Sequence, residues 1–223
     1  MATTTRRTER RTDALSRARI VEAAIEILDA DGESALTFRA LAARLATGSG
    51  AIYWHVANKS ELLAAATDDV VARALGGAAS EADPEQEVRT LALRIFDAID
   101  AHPWVGSQLA REPLQLAMQQ ILEAIGQRLE SFGTPDRALF DAASALTNYI
   151  VGVAGQNAAN ARLHVHDEGR TAFLEQVATR WTDLDAEQHP FLSKVAPQLA
   201  DHDDREQFLA GVDLILAGIR TPH

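Results

Sequence analysis

The sequence predicts an all-α protein, and three observations carry that expectation. Apolar residues recur at three- and four-residue spacing in one segment after another, as on the buried stripe of an amphipathic helix. Strict apolar–polar alternation never persists long enough to suggest a sheet. Glycines, prolines and capping residues fall where such helices would end or begin. At 223 residues, 47% of them hydrophobic, the chain is long and apolar enough for a small domain followed by a larger one.

Residues 1–14 are rich in threonine and arginine, have almost no apolar content, and read as a flexible basic arm. From Ala14 the pattern turns helical, with Ile20, Ala23, Ala24, Ile27 and Leu28 on one stripe and Gly32 as the stop. Thr37 offers an N-cap to a short helix whose buried side is Leu41, Ala42 and Leu45. A break over 46–50 leads into Ala-Ile-Tyr-Trp-His-Val at 51–56, one or two helical turns in which Trp54 is expected in the core. Asn58, with Glu61 three residues on, has the pattern of a capping box for a helix reaching Leu75 and ending at Gly76-Gly77.

Asp83-Pro84 opens the next helix, with proline at its first position and Val88, Leu91, Ile95, Phe96 and Ile99 as its stripe. His102-Pro103 breaks it. A helix over 113–132 follows, stopped by Gly133, and a long, unusually apolar one begins at Pro135. Residues 164–170 read as a loop and 173–181 as a helix, while Pro190 and Pro197 bracket a short segment. The last helix, 204–219, is apolar around much of its circumference. Such a helix must be buried on most sides, which at the end of a small chain points to a second copy.

The net charge is −11, yet the first 60 residues hold nine basic side chains against seven acidic ones. Any contact with nucleic acid therefore belongs to the N-terminal end, because the remainder repels phosphate. The absence of cysteine excludes disulfides, thiolate metal sites and thiol-based redox sensing. No apolar run reaches the roughly 18 residues that span a bilayer, and the N-terminus lacks a signal-peptide core, so a cytoplasmic protein with no membrane partner is expected. There is no phosphate loop and no nucleophile elbow, so neither an enzyme nor a cofactor is expected. His164, His166, Asp167 and Glu168 have no standard zinc spacing, and no metal site is expected there either.

Residues 36–59 carry the functional signal. They describe two short helices packed across a tight turn, with Leu45, Ile52 and Val56 in the wedge and small Ala42 allowing close approach. The second helix would be presented outward, toward the major groove. The run Ile52-Tyr53-Trp54-His55-Val56, followed by Asn58-Lys59 and Leu62-Leu63, resembles the DNA-binding domain of the TetR family of repressors, and the resemblance extends over residues 15–63. Residues 208–218 resemble, less closely, the closing dimerisation helix of tetracycline repressors. The resemblance implies a helix-turn-helix DNA-binding domain over 15–60 and a helical ligand-binding and dimerisation domain over 61–223.

It also implies residue roles. Tyr53, His55 and Lys59 match positions that grip DNA, chiefly phosphate; Thr37 matches a phosphate contact and Arg39 a base contact. Ser49, Gly50 and Ala51 fall at the exposed start of the recognition helix. The chain departs from the family in having Ala46 where the turn usually carries glycine, and in Gly48 and Gly50, each of which weakens a helix by about 1 kcal/mol relative to alanine. The arginines of the arm are either solvated or reach phosphate and the minor groove.

Small-molecule sites are mostly apolar with a few placed polar groups. Phe96, His102, Trp104, Met118, Leu122, Asn148, Tyr149, Gly152 and Asn157, from the middle helices, have that mix and are the candidate ligand residues. The amides Asn148, Gln156 and Asn157 serve either a ligand or a dimer interface. His102 falls near a metal-chelating histidine of tetracycline repressors; its other reading is a helix-ending histidine before proline. The expected function is a homodimeric transcriptional regulator, released from a double-stranded DNA operator by a small apolar or amphipathic effector. The alternative is an architectural or partner-controlled DNA-binding protein without an effector.

Overall fold

A computed structural model describes residues 15–77, 83–164, 169–199 and 202–220. The expected arm over 1–14 lies outside them, as do residues 165–168, which include three members of the histidine–acid cluster. Among the described residues the chain is helical and contains no strand.

Helix α1 (Arg17–Asp31) begins at Ser16, whose hydroxyl accepts from the Arg19 amide, and ends at Gly32, whose φ of +77° takes the chain out of the helix. Its apolar stripe is buried, with Ile20, Ala24 and Leu28 fully so. Helix α2 (Phe38–Arg44) starts at Thr37, which accepts from the Ala40 amide at 3.1 Å. The turn into α3 (Ser49–Tyr53) passes through Ala46 at φ +49°, a left-handed conformation held by an L-residue with a Cβ. Ile52 and Val56 fill the wedge as expected, while Leu45 is half-buried.

Helix α4 (Lys59–Leu75) is capped by Asn58, which accepts from the Glu61 amide at 2.8 Å. The Glu61 carboxylate accepts from the Ala57 amide at 2.8 Å and completes a box around the cap. Helix α5 (Pro84–Ala101) has the expected Asp83 cap and proline start. His102-Pro103 ends it but also starts a helix that the apolar pattern does not reveal, α6 (Pro103–Arg111). Proline lacks only an amide hydrogen that the first helical turn does not use, so the same residue both breaks one helix and begins another.

The next helix, α7 (Leu116–Ser131), starts three residues later than Pro113 suggests. Helix α8 (Asp136–His164) runs through the centre of the larger unit and packs against α5, α6, α7 and the last helix. Over Asp136–Ala161 it is long and apolar enough to cross a membrane by length and composition, although polar residues interrupt every apolar run in it. Then come α9 (Gly169–Thr182), α10 (Pro190–Val195) with a 3-10 turn over Ala196–Leu199, and α11 (Asp204–Arg220).

Only one stripe of α11 is buried within the chain: Phe208, Val212 and Leu216. Ion pairs of Arg89 with Asp213 (2.6 Å) and of Arg220 with Glu85 (2.5 Å) fasten it to α5. Its opposite side is bare, with Leu214 75% exposed, and on α8 Phe140 is 73% exposed.

Candidate nucleic-acid interface and internal cavity

Helices α2 and α3 place a set of polar and aromatic groups on one surface. The Tyr53 ring stacks face to face on Phe38, with centroids 4.2 Å apart and planes 3° from parallel. The stack fixes the ring while leaving Tyr53 55% exposed. Trp54, expected in the core, is 90% exposed instead. It follows the last residue of α3, where the chain has already turned outward and Ile52 has taken the buried position. Arg39 and Thr37 are exposed, and Arg39 has no ion-pair partner among the described residues. Gly50 is exposed, and Ser49, Ala51 and His55 are half-buried at the same edge.

Lys59 has a second engagement. Its ammonium donates to the Glu33 carbonyl at 2.5 Å, which ties the start of α4 to the turn after α1 and leaves two N–H donors. Arg44, by contrast, is committed to Glu26 at 2.6 Å and buttresses α2 against α1. Arranged this way, the surface offers an arginine, a lysine, hydroxyl donors and two aromatic faces on one side of a helix pair. That is the inventory for phosphate and base-edge contact.

Two carboxylates fasten this unit to the larger one. Asp29 of α1 accepts the Trp104 indole N–H at 2.7 Å and lies 2.9 Å from His102 Nδ1. Glu33 takes the Arg111 guanidinium on both its oxygens. That hydrogen bond, with the arginine charge, holds the Glu33 carboxyl below the ordinary carboxylate range. Both links reach the same helix, α6, one at each end. In its middle, Gly106 rests on Gly155 of α8, where a Cβ would come within 2.9 Å of the Gly155 backbone. The carboxylates and their partners are more than 70 residues apart in sequence, and nothing in a linear reading joins them.

A cavity of about 1260 Å³ opens between α8 and the α9–α11 segment. Tyr149 and Asn157, from the candidate ligand residues, line it together with Gln156. The other candidates lie elsewhere. Phe96 is buried against Phe208, with centroids 4.6 Å apart. His102 and Trp104 face Asp29. Met118 and Leu122 pack on the core from α7, and Asn148 and Gly152 are exposed on α8. The cavity wall includes aromatic residues outside that candidate set, Phe173, Trp181 and Phe191. Among the described residues no histidine–acid group is spaced to hold a metal ion.

Residues 20–66 match the family model described as bacterial regulatory proteins, tetR family, and residues 78–222 match the tetracyclin repressor-like C-terminal domain. An HTH-type transcriptional regulator of Saccharopolyspora erythraea is 28% identical over 210 residues, 92% of this chain and 87% of that protein. The solved structure of the transcriptional regulator SCO7222, a TetR from Streptomyces coelicolor, superimposes with a TM-score of 0.84 at 50% identity, covering 92% of this chain and 98% of that one. ActR, a TetR family protein from the same organism solved in complex with (S)-DNPA, gives a TM-score of 0.74 at 26% identity, covering 92% and 96%.

Proposed function

This chain belongs to the TetR family of bacterial regulatory proteins and is a DNA-binding transcriptional regulator; from that premise we propose that it is a homodimeric repressor released from a palindromic operator by a small molecule. The observation that carries the DNA-reading part is the Phe38–Tyr53 stack beside exposed Arg39. Tyr53, His55, Lys59 and Thr37 take phosphate, while Arg39 and the Ser49–Ala51 edge face bases. Arginine is the commonest reader of guanine in the major groove.

The bare faces of α8 and α11 support the dimer, because exposed apolar side chains such as Phe140 and Leu214 on adjacent helices call for a covering partner. The cavity beside Tyr149 is the effector site of this reading, and ActR with its bound ligand is a precedent in a related fold. An effector there shifts α8, and α6 carries the shift through Asp29 and Glu33 to α1. The two recognition helices then no longer match half-sites one DNA turn apart, about 34 Å.

The test is a mobility-shift titration on the DNA upstream of the protein's own gene, at several salt concentrations, with Arg39→Ala and Tyr53→Ala alongside. Tight binding that weakens with salt and is lost in both variants supports the operator reading. Binding no tighter than to random DNA, there and across a library of genomic fragments, refutes it.

A further inference from the structure

We propose that the effector is a flat aromatic molecule bearing positive charge, held with its cationic group toward Asp100. This rests on reading the cavity as the effector site, and it comes from the side chains the cavity does and does not contain.

Among the described residues, not one lysine or arginine lines the wall, while two carboxylates, Asp100 and Asp204, do. Asp204 sits in the first turn of α11, where a negative charge complements the helix dipole, and the His202 ring lies 3.1 Å from it. Asp100 is in the opposite situation. It occupies the last turn of α5, a turn with no basic residue, where the dipole disfavours an anion. Its neighbour Asp97 is compensated by Arg205 at 2.9 Å. Asp100 has no ion-pair or hydrogen-bond partner among the described residues. A carboxylate that weakens its own helix and faces a cavity without cations among those residues is placed for a cation from outside.

The rest of the wall fixes the body of the ligand. Tyr149, Phe173, Trp181 and Phe191 line it with aromatic rings, a side-chain type that attracts both flat aromatic systems and cations. Side-chain amides on α8 supply hydrogen bonds to hydroxyl or carbonyl groups. An anionic ligand of the same shape meets the two carboxylates and, among the described residues, no lysine or arginine to offset them.

Two near-isosteric xanthene dyes separate shape from charge: rhodamine 123, a cation, and fluorescein, an anion. Their Kd values for the full-length protein are read by fluorescence anisotropy, for the native sequence and for Asp100→Asn. Rhodamine 123 is expected to bind at least about tenfold tighter, and Asp100→Asn to narrow that ratio about threefold or more, while operator affinity stays unchanged and the melting temperature holds or rises slightly as the helix loses an unfavourable charge. Fluorescein binding equally well, or a charge preference that survives Asp100→Asn, overturns the proposal. Binding of neither dye overturns it together with the cavity's role. An operator shift measured on the same preparation then shows separately whether DNA reading stands.

Discussion

Tyr149 occupies the space that a Cβ on Gly211 would fill, and its hydroxyl donates to the Phe208 carbonyl at 3.1 Å. The missing side chain on α11 is what lets the ring lie along that helix, stacked on Phe208 with centroids 5.7 Å apart. Burial raises the Tyr149 hydroxyl above its ordinary range, so it remains a donor under all physiological conditions.

Gly211→Ala is therefore expected to push the Tyr149 ring aside. The cavity lies next to it, so the ring has somewhere to go and the cost in stability is only about 1 kcal/mol. The displaced ring shrinks the cavity, and ligand affinity falls far more than the melting temperature does. Equal losses in both, from calorimetry and dye titration, would contradict this.

Asp29→Ala strands two donors at once, the Trp104 indole and His102. The expected loss is about 2–3 kcal/mol, since hydrogen bonds to a carboxylate are stronger than neutral ones. Scanning calorimetry should also resolve two transitions in this variant against one in the native chain, because one of the two carboxylate links between the DNA-reading unit and α6 is then gone. A single transition at the native temperature would show that Asp29 joins nothing.

Ala46→Gly should stabilise the protein. A left-handed φ costs an L-residue about 1–2 kcal/mol, and glycine avoids most of it at some cost in unfolded-state entropy, for a net gain of about 1 kcal/mol. Gly50→Ala adds a gain of similar size in α3, where nothing stands within 4 Å of the new methyl group. Urea midpoints should rise in both with unchanged slope. Amide exchange over 49–53 is expected to be fast in the free native protein and slower in Gly50→Ala.

Asp68 gives a pH dependence of defined sign. Its carboxylate accepts from the Ala117 amide at 2.9 Å, at the start of α7. Burial raises its carboxyl, outweighing the lowering by that hydrogen bond and by Arg17. A folded-state value above the unfolded one means that the folded protein holds this proton more tightly. The stabilising contribution is full at low pH and is lost as pH rises through the raised value. Asn at this position keeps the acceptor and removes the titration, so the advantage of Asp68→Asn over the native chain should grow between about pH 4 and about pH 7. Glu33 runs the other way: lowered by Arg111, its contribution is present at neutral pH and lost on acidification. Urea midpoints across that range and on below about pH 4, where the Glu33 contribution is lost, separate the two, with Arg111→Ala as a control.

Local chemistry makes most of the helices legible in the sequence. Thr37, Asn58 with Glu61, and Asp83-Pro84 start helices because each satisfies or dispenses with an orphan amide, and that depends only on neighbours in sequence. The helix at Pro103 stays hidden because proline signals both an end and a beginning. Trp54 misleads for a related reason. In so short a helix, one residue of phase decides whether an aromatic ring faces core or solvent, and the pattern Ile-Tyr-Trp does not reveal which. Of the interface, the motif around Tyr53 carries what is legible. Of the cavity, apolar spacing tells which residues are buried but not what they are buried against. Phe96 and Tyr149 look alike in sequence, and only the packing of α11 sends one to the core and the other to the wall.

Helix α6 is gripped by Asp29 near its first residue and by Glu33 at its last, and it bears on α8 through two glycines in between. That is a beam pivoted near its middle and pinned at both ends to one load. Nine residues of helix span about 13 Å, so the arms are short. Tilting the beam lifts one pin and lowers the other, and α1 responds by rotating rather than sliding. Rotation is the motion that distance magnifies: the far edge of the DNA-reading unit, where Arg39 and Tyr53 sit, sweeps through a longer arc than the pins themselves. Enlarging Gly106 at the pivot would raise the beam off its bearing, so the gearing depends on a position whose whole side chain is a hydrogen atom.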